Sequence, residues 1–547
     1  MNIRNYNIFF HTHTISGIVI CALLYVIFFT GSFSFFKQEI SAWQKNTSYV
    51  TYSADHSEYD KLLDSIGTDY NLQGRDITFY IQRSGTGAYV NISASNDSIL
   101  NKENLAKLKL EKEGEKKGRR RGRGGDAKYF SYDFVKGSAG DYSMNYDMGE
   151  FLYRLHFLAQ LNEVPIRVGI APFGYFIAGL TSFLFLFALI TGLLLHWDKI
   201  VTNFFVFRPF NKWKTVWTDM HTALGVIGFP FQFLYAVTGI FLIINSVLAI
   251  PFGKLLYDGD TEKMYQDLGY SRATKQEYLY KPLERDVKLA AYIDLAQQKW
   301  PDSEMRRIQV KNYGDSNMHV MLELEPLFNK SFAGSGVLHI RVHDQKIIEE
   351  KSPLTEASYV DNVRSLLYRL HFGDFGGYPV KTIYFILGIM GCLVITSGIL
   401  IWLVARDKNN VLPRKRKFNF WVANVFMAIC LTMLPVTAFT FIAIKVSPDV
   451  DQRFIYSVYF YSWLALALYY IVRRNINRTN RETLLLGSVL AFCVPVANGV
   501  MSNNWLWNTI AHRQTDIFVI DFLWLIIGVV GILTFLKSRT FFKKLKS

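Results

Sequence analysis

The sequence predicts an α-helical integral membrane protein with eight transmembrane helices, and two α+β domains inserted between helices 1 and 2 and between helices 3 and 4. Three observations carry this reading. Hydrophobic residues make up 50% of the chain and fall into long runs. Basic residues crowd alternate connections between those runs. A unit of apolar run, polar segment, LYRLHF and apolar run occurs twice.

The apolar runs extend from about Thr14 to Phe36, Phe173 to Leu195, Thr222 to Leu248, Val380 to Val404, Phe420 to Ile444, Phe454 to Val472, Thr483 to Met501 and Ile517 to Leu536. Each is near the roughly 20 residues a helix needs to cross a hydrocarbon core of about 30 Å. The first run is too long for a typical signal-peptide core and no small-residue cleavage site follows it, so it reads as an anchor.

The formal net charge of +15 resides largely in short connections. Lys199, Arg208, Lys212 and Lys214 follow the second span, and Arg406, Lys408, Arg414, Lys415, Arg416 and Lys417 follow the fourth. Arg473, Arg474, Arg478 and Arg481 follow the sixth, and the C-terminal tail is basic as well. The alternate connections are poor in Lys and Arg. Positive charge stays on the cytoplasmic side, so both termini are expected in the cytoplasm and the two long polar segments outside, in a bacterial periplasm or its equivalent. This distribution points to a lipid bilayer and not to nucleic acid. The cysteines Cys21, Cys392, Cys430 and Cys493 all fall in predicted spans without CxxC spacing, and read as small apolar core residues rather than a disulfide framework.

The first span opens with His13-Thr14 and Gly17 and later carries Thr30-Gly31. The third repeats this in register with His221-Thr222, Gly225 and Thr238-Gly239. LYRLHF then precedes both the second and the fourth span, which close on ITGLLLHW and ITSGILIW. The expected layout is a first span in 1–36, a first external domain in 37–172, spans two and three in 173–250, a second external domain in 251–379, span four in 380–406, and a four-span extension in 407–547. Helices are expected at YDKLLDSIG and VKLAAYIDLAQQKW, and strands at DITFYIQR, AYVNISA, RRIQVKNY, HVMLELE and GVLHIRVH. The glycine- and arginine-rich stretch at 111–125 has the composition of a solvated loop.

Histidine placement is the most informative feature. His11, His13, His196 and His221 lie at the cytoplasmic ends of the first three spans, and His156 and His371 just before spans two and four. Ionisable residues at membrane depth are costly and mark function. The repeat relates His13 to His221 and His156 to His371, one pair at each face. Zinc would need a third or fourth Cys, His, Asp or Glu at short spacing, which these helix ends do not offer. Two axial imidazoles in an apolar helical pocket suit a b-type haem, which requires no CxxCH. His196 and His11 are alternates at the inner face. Arg154 and Arg369, two residues before the outer histidines, suit haem propionates or interfacial anchoring. Gly17, Gly31, Gly225, Gly228 and Gly239 offer flat helix surface to a porphyrin or to another helix. Two such haems would carry electrons across the membrane, from a reducing cytoplasm or quinol pool to an external acceptor.

The His-x-x-x-Gly opening, the later Thr-Gly, the Leu-His before the next span and the closing Thr-Gly or Ser-Gly with Trp resemble the PepSY-associated transmembrane helix family over about 1–406, and the external segments resemble PepSY domains. That family includes inner-membrane ferric-siderophore reductases of Gram-negative bacteria, with four core spans, two periplasmic PepSY-like domains and haem b bound by histidines. The resemblance implies two haems b ligated by His13, His221, His156 and His371, a ferric-siderophore as external partner, and an oxidoreductase activity. The four further spans and the basic insertion depart from the family core. Two other classes remain: a permease or assembly factor, and a non-catalytic PepSY ligand-binding module with structural histidines.

Overall fold

A computed structural model of the chain describes residues 2–544 apart from 51–54, 105, 107–126, 169–170, 209–210, 261–262, 265–266 and 268–275. The basic stretch at 111–125 lies outside the described residues. The chain folds into two compact units, one made of Met1–Ser48, Tyr146–Phe252 and Leu370–Ser547, the other of Tyr49–Asn145 and Gly253–Arg369.

The first unit is helical. Its longer helices are α1 (Ile3–Ser34), α2 (Lys37–Lys45), α4 (Met148–His156), α5 (Phe173–His196), α6 (Trp213–Leu256), α9 (Gly377–Arg406), α10 (Pro413–Leu431), α11 (Met433–Val446), α12 (Gln452–Arg473), α13 (Ile476–Ser502) and α14 (Thr515–Lys544); α3 (Ser57–Asp69) and α7 (Leu289–Lys299) belong to the second unit, and α8 (Tyr359–Phe372) runs from the second into the first. Among the described residues, eight helical segments are long and apolar enough to cross a membrane, at the eight places the hydropathy predicts. Hydroxyls inside them donate to carbonyls one turn back, as Thr30 does to Val26, Thr191 to Phe187 and Thr238 to Leu234. Such bonding satisfies a polar side chain where no water is at hand. The fifth span is two helices meeting at Thr432, three residues before Pro435. A proline has no N–H to give and its ring crowds the carbonyl four residues back, here that of Leu431.

The extension is tied to the repeat through α2. Trp43 is fully buried and donates its indole N–H to Asp521 of α14 at 2.7 Å, and Asn498 of α13 donates to the same carboxylate at 2.7 Å. Lys445 of α11 lies 4.0 Å from the centre of the Trp43 ring and donates to the Trp43 carbonyl and to Asn46. Buried charge is tolerated when each group has partners, and these do. Of the four cysteines, Cys21, Cys392 and Cys430 are buried as expected, whereas Cys493 is exposed on the surface of α13.

The second unit corrects one expectation. Its two chain segments do not form separate domains. Strands β1 (Arg75–Ile81), β2 (Gly87–Ser95), β3 (Lys128–Asp133) and β4 (Ser138–Asp141) come from the first segment, and β5 (Ser303–Lys311), β6 (His319–Pro326), β7 (Gly336–Arg341) and β8 (Lys346–Lys351) from the second. They make one antiparallel sheet in the order β8-β7-β6-β5-β1-β2-β3-β4. The seam is the β1–β5 pair, with Ile77 opposite Val310 and Phe79 opposite Ile308. Either segment alone would leave a long unpaired strand edge, and pairing the two removes it. The helices α3 (Ser57–Asp69) and α7 (Leu289–Lys299) share a single core with both halves, including Leu62, Phe79, Val90, Ile293, Ile308 and Leu322. β3, β4 and β8 show too little apolar alternation to be read from the sequence, and β8 in particular (KIIEEK) is exposed along most of its length, its two isoleucines included.

Candidate functional site: two histidine pairs

The helical unit brings together the histidines that the repeat relates. The His13 and His221 rings are 6.1 Å apart, centre to centre, and those of His156 and His371 are 5.9 Å apart. His13 sits on α1 and His221 on α6, while His156 ends α4 and His371 lies near the end of α8. The second sheet-unit pair, His319 and His339, supplies an internal ruler. Its rings hydrogen-bond directly at 2.9 Å, with centres 4.9 Å apart. The two helical pairs are about 1 Å wider. A metal–imidazole bond of about 2 Å on each side of one ion, plus roughly 1 Å from nitrogen to ring centre, gives a separation of about 6 Å.

Each ring is anchored through Nδ1. His13 binds the Ala188 carbonyl at 2.9 Å, His156 that of Ile27 at 2.8 Å, and His221 that of Val394 at 2.8 Å. His371 binds the Thr238 hydroxyl at 2.7 Å. A carbonyl can only accept, so Nδ1 carries the proton in the first three, and Nε2 is the bare nitrogen available to a ligand. Anchoring of the second nitrogen in this way is how metal-bound histidines are held in tautomer and orientation. Burial holds His156 and His371 below the usual imidazole range, His371 at about 3, so both are neutral.

The Thr-Gly and Ser-Gly pairs of the repeat are the seats of these rings. A Cβ on Gly31 would lie 2.5 Å from His156 Nδ1. One on Gly192 would lie 3.0 Å from His13 Cε1, and one on Gly398 3.1 Å from His221 Cε1. In all three cases the anchoring carbonyl is that of the residue four before the glycine, so the ring crosses a bare turn of helix to reach it. Gly239 differs: its Cβ would meet Ser182, and the neighbouring Thr238 holds the ring instead. Gly17 and Gly225 face open space, and Gly228 is covered by the Gln232 and Met390 side chains. Sequence alone marks Gly31 and Gly239 as flat helix surface, but not Gly192 and Gly398 as seats for the rings.

The other candidates lie differently. His11 is exposed against Phe10. His196 ends α5. Arg154 donates to Glu150 at 2.7 Å, and Glu150 also pairs with Lys37 at 2.5 Å. Arg369 is buried and donates to the Pro326 carbonyl at 2.7 Å. The two arginines, equivalent in the repeat, therefore have different partners.

Among the described residues, no group of three or more His, Cys, Asp or Glu is arranged to hold a metal ion. A pair of imidazoles supplies two ligands to an ion, and a macrocycle is one source of the remaining donors. The seats that clear the rings and the engaged Nδ1 atoms fit a haem on these terms.

A family model described as PepSY-associated TM region matches residues 10–405. That match takes in both copies of the repeat and stops at the extension. No curated protein matches the chain.

Proposed function

The chain belongs to the PepSY-associated TM region family, and on that premise we propose that it is an inner-membrane electron carrier with two b-type haems that reduces siderophore-bound ferric iron on the external side. A haem held by two imidazoles has no open position at iron and supplies one-electron transfer. The observation that carries the reading is the spacing of two ring pairs about 6 Å apart with every Nδ1 already engaged.

In this reading His13 and His221 hold one haem, and His156 and His371 the other. The carbonyls of Ala188, Ile27 and Val394 and the Thr238 hydroxyl fix the rings, and the glycine seats let them approach the helices. His221 and Thr238 are separated by about 25 Å along α6 at 1.5 Å per residue, close to the thickness of a hydrocarbon core. The basic connections orient the His13–His221 pair toward the cytoplasm, where a cytoplasmic reductant or quinol is the donor. The other pair then faces the ferric-siderophore. Arg154 binds Glu150 on its own helix and Arg369 ties α8 to the Pro326 carbonyl of β6, and His196 and His11 lie on the donor side. Ferric iron in hard oxygen donors is held far more tightly than ferrous iron, so reduction releases it.

The test is the optical spectrum of the full-length protein before and after dithionite. Low-spin b-type bands at two haems per chain support the proposal, with His156→Ala and His371→Ala each removing one haem and His13→Ala and His221→Ala removing the other. A colourless preparation from haem-replete cells rejects it.

A further inference from the structure

The two histidine pairs are not equivalent at their anchors. His13, His221 and His156 each give their Nδ1 proton to a main-chain carbonyl. His371 alone meets a side-chain hydroxyl. All four seats carry such a hydroxyl, in Thr30, Thr191, Thr238 and Ser397, so the difference is not one of composition. At the other seats the hydroxyls donate to carbonyls within their own helix, and Ser397 reaches no closer than 3.5 Å to His221. The Thr238 hydroxyl also spends its proton within the helix, on the Leu234 carbonyl at 2.6 Å. Its lone pairs therefore face His371, which fixes that ring with Nδ1 protonated and Nε2 bare.

A peptide carbonyl is the negative end of a dipole of about 3.5 D and accepts more strongly than a neutral hydroxyl. The stronger the acceptor on Nδ1, the more electron-rich the imidazole, and the more it favours the higher oxidation state of a bound iron. We infer that Thr238 is a positioning residue that weakens the electron donation of His371, making the His156–His371 centre the more oxidising of the two. The inference rests on the di-haem reading above. It supplies a direction for electron flow, from the pair anchored by two carbonyls to the pair anchored by one.

The experiment is optical redox potentiometry on the full-length, haem-loaded protein and its Thr238→Val, Thr238→Ala and Thr238→Ser variants. The component lost in His371→Ala identifies the centre concerned. Wild type should show two components, with this one at the higher potential. Valine removes the acceptor and blocks the turn behind it, so this component shifts positive while the other stays. A shift of roughly tenfold in the reduction equilibrium, about 59 mV for one electron, is expected. Alanine uncovers the Tyr235 carbonyl, four residues before Gly239, and the same component shifts negative. Serine keeps the hydroxyl and leaves both in place. Should valine cost the second haem altogether, alanine and serine decide the matter. Two wild-type components that alanine and serine leave unmoved, or a valine shift of the same sign as alanine, overturn the tuning role alone. The absence of any low-spin component in wild type overturns the di-haem reading instead.

Discussion

Replacing Gly31 by alanine sets two effects of opposite sign against each other. In a helix interior alanine is favoured over glycine by about 1 kcal/mol, so propensity predicts a stabilised α1. The geometry predicts the reverse for the site. The new Cβ would lie 2.5 Å from His156 Nδ1 and 2.7 Å from Cε1, whereas carbon contacts settle at about 3.5–4.0 Å. The ring must retreat by about 1 Å, which breaks its 2.8 Å bond to Ile27. Losing that bond costs about 1 kcal/mol and overpacking a filled site another 1–3 kcal/mol, roughly. The net loss at the site is about 1–3 kcal/mol after the helix gain, or about five- to 150-fold in haem affinity at 1.4 kcal/mol per decade. The assay is the haem-to-protein ratio of full-length protein by pyridine haemochrome, with expected values near two for wild type and falling toward one for Gly31→Ala. Gly192→Ala and Gly398→Ala, with clearances of 3.0 and 3.1 Å, should weaken the other centre less, and Gly17→Ala, with nothing within 4 Å, should do nothing. A Gly31→Ala protein that keeps both haems while Gly17→Ala loses one would refute the idea that these glycines seat the rings.

Three further outcomes are expected. In the sheet unit, burial pushes His319 down to about 4, with the neighbouring His339 and Arg341 adding to the effect against Asp344, and it lowers His339, against Glu349. The folded state thus binds fewer protons than the unfolded, so stability is full above about pH 6.5 and is lost as pH falls toward 4, by up to about 3 kcal/mol for His319; hydrogen exchange on the sheet amides across this range checks it, and flat protection would disprove it. Phe79→Ala empties a fully buried site beside the seam and should cost about 3–5 kcal/mol, with β2 and β6 losing exchange protection together, whereas loss confined to β1–β4 would mean two independent domains. Lys445→Met should lower the thermal midpoint of the detergent-solubilised chain, at a cost of about 1.5–3 kcal/mol, because it removes the charged donor to the Trp43 carbonyl and Asn46; an unchanged midpoint would show that the α2 clamp contributes nothing.

The spans were legible in the sequence because a hydrocarbon core imposes a length and a polarity that few other constraints produce, and among the described residues eight such helical segments lie where the runs are. The histidine pairing was legible for a different reason. Two copies of one unit in register leave few ways for His13, His221, His156 and His371 to meet, and the rings do meet two by two. What was not legible was the choice of partner wherever the repeat does not dictate it. Ile77 and Val310 alternate well enough to sit in any sheet, and nothing local to either announces that they pair. Arg154 and Arg369 hold the same place in LYRLHF, yet one finds Glu150 and the other a carbonyl of β6. The Thr-Gly pairs show the limit most sharply. As sequence, Gly31 and Gly239 read as flat surface for a helix or a porphyrin, whereas the missing Cβ atoms of Gly31 and Gly192 make way for histidine rings from α4 and α1. The motif is thus half of a two-part device: a glycine clears one turn of helix, and a histidine arriving from elsewhere uses the carbonyl beneath it. At Thr238 the ring stops at the hydroxyl, and Ser182 rather than a ring lies beside the neighbouring Gly239. The same hydroxyl-then-glycine pair at four seats gives two different anchors, and that asymmetry belongs to the packing of α5, α6 and α8 rather than to the motif alone.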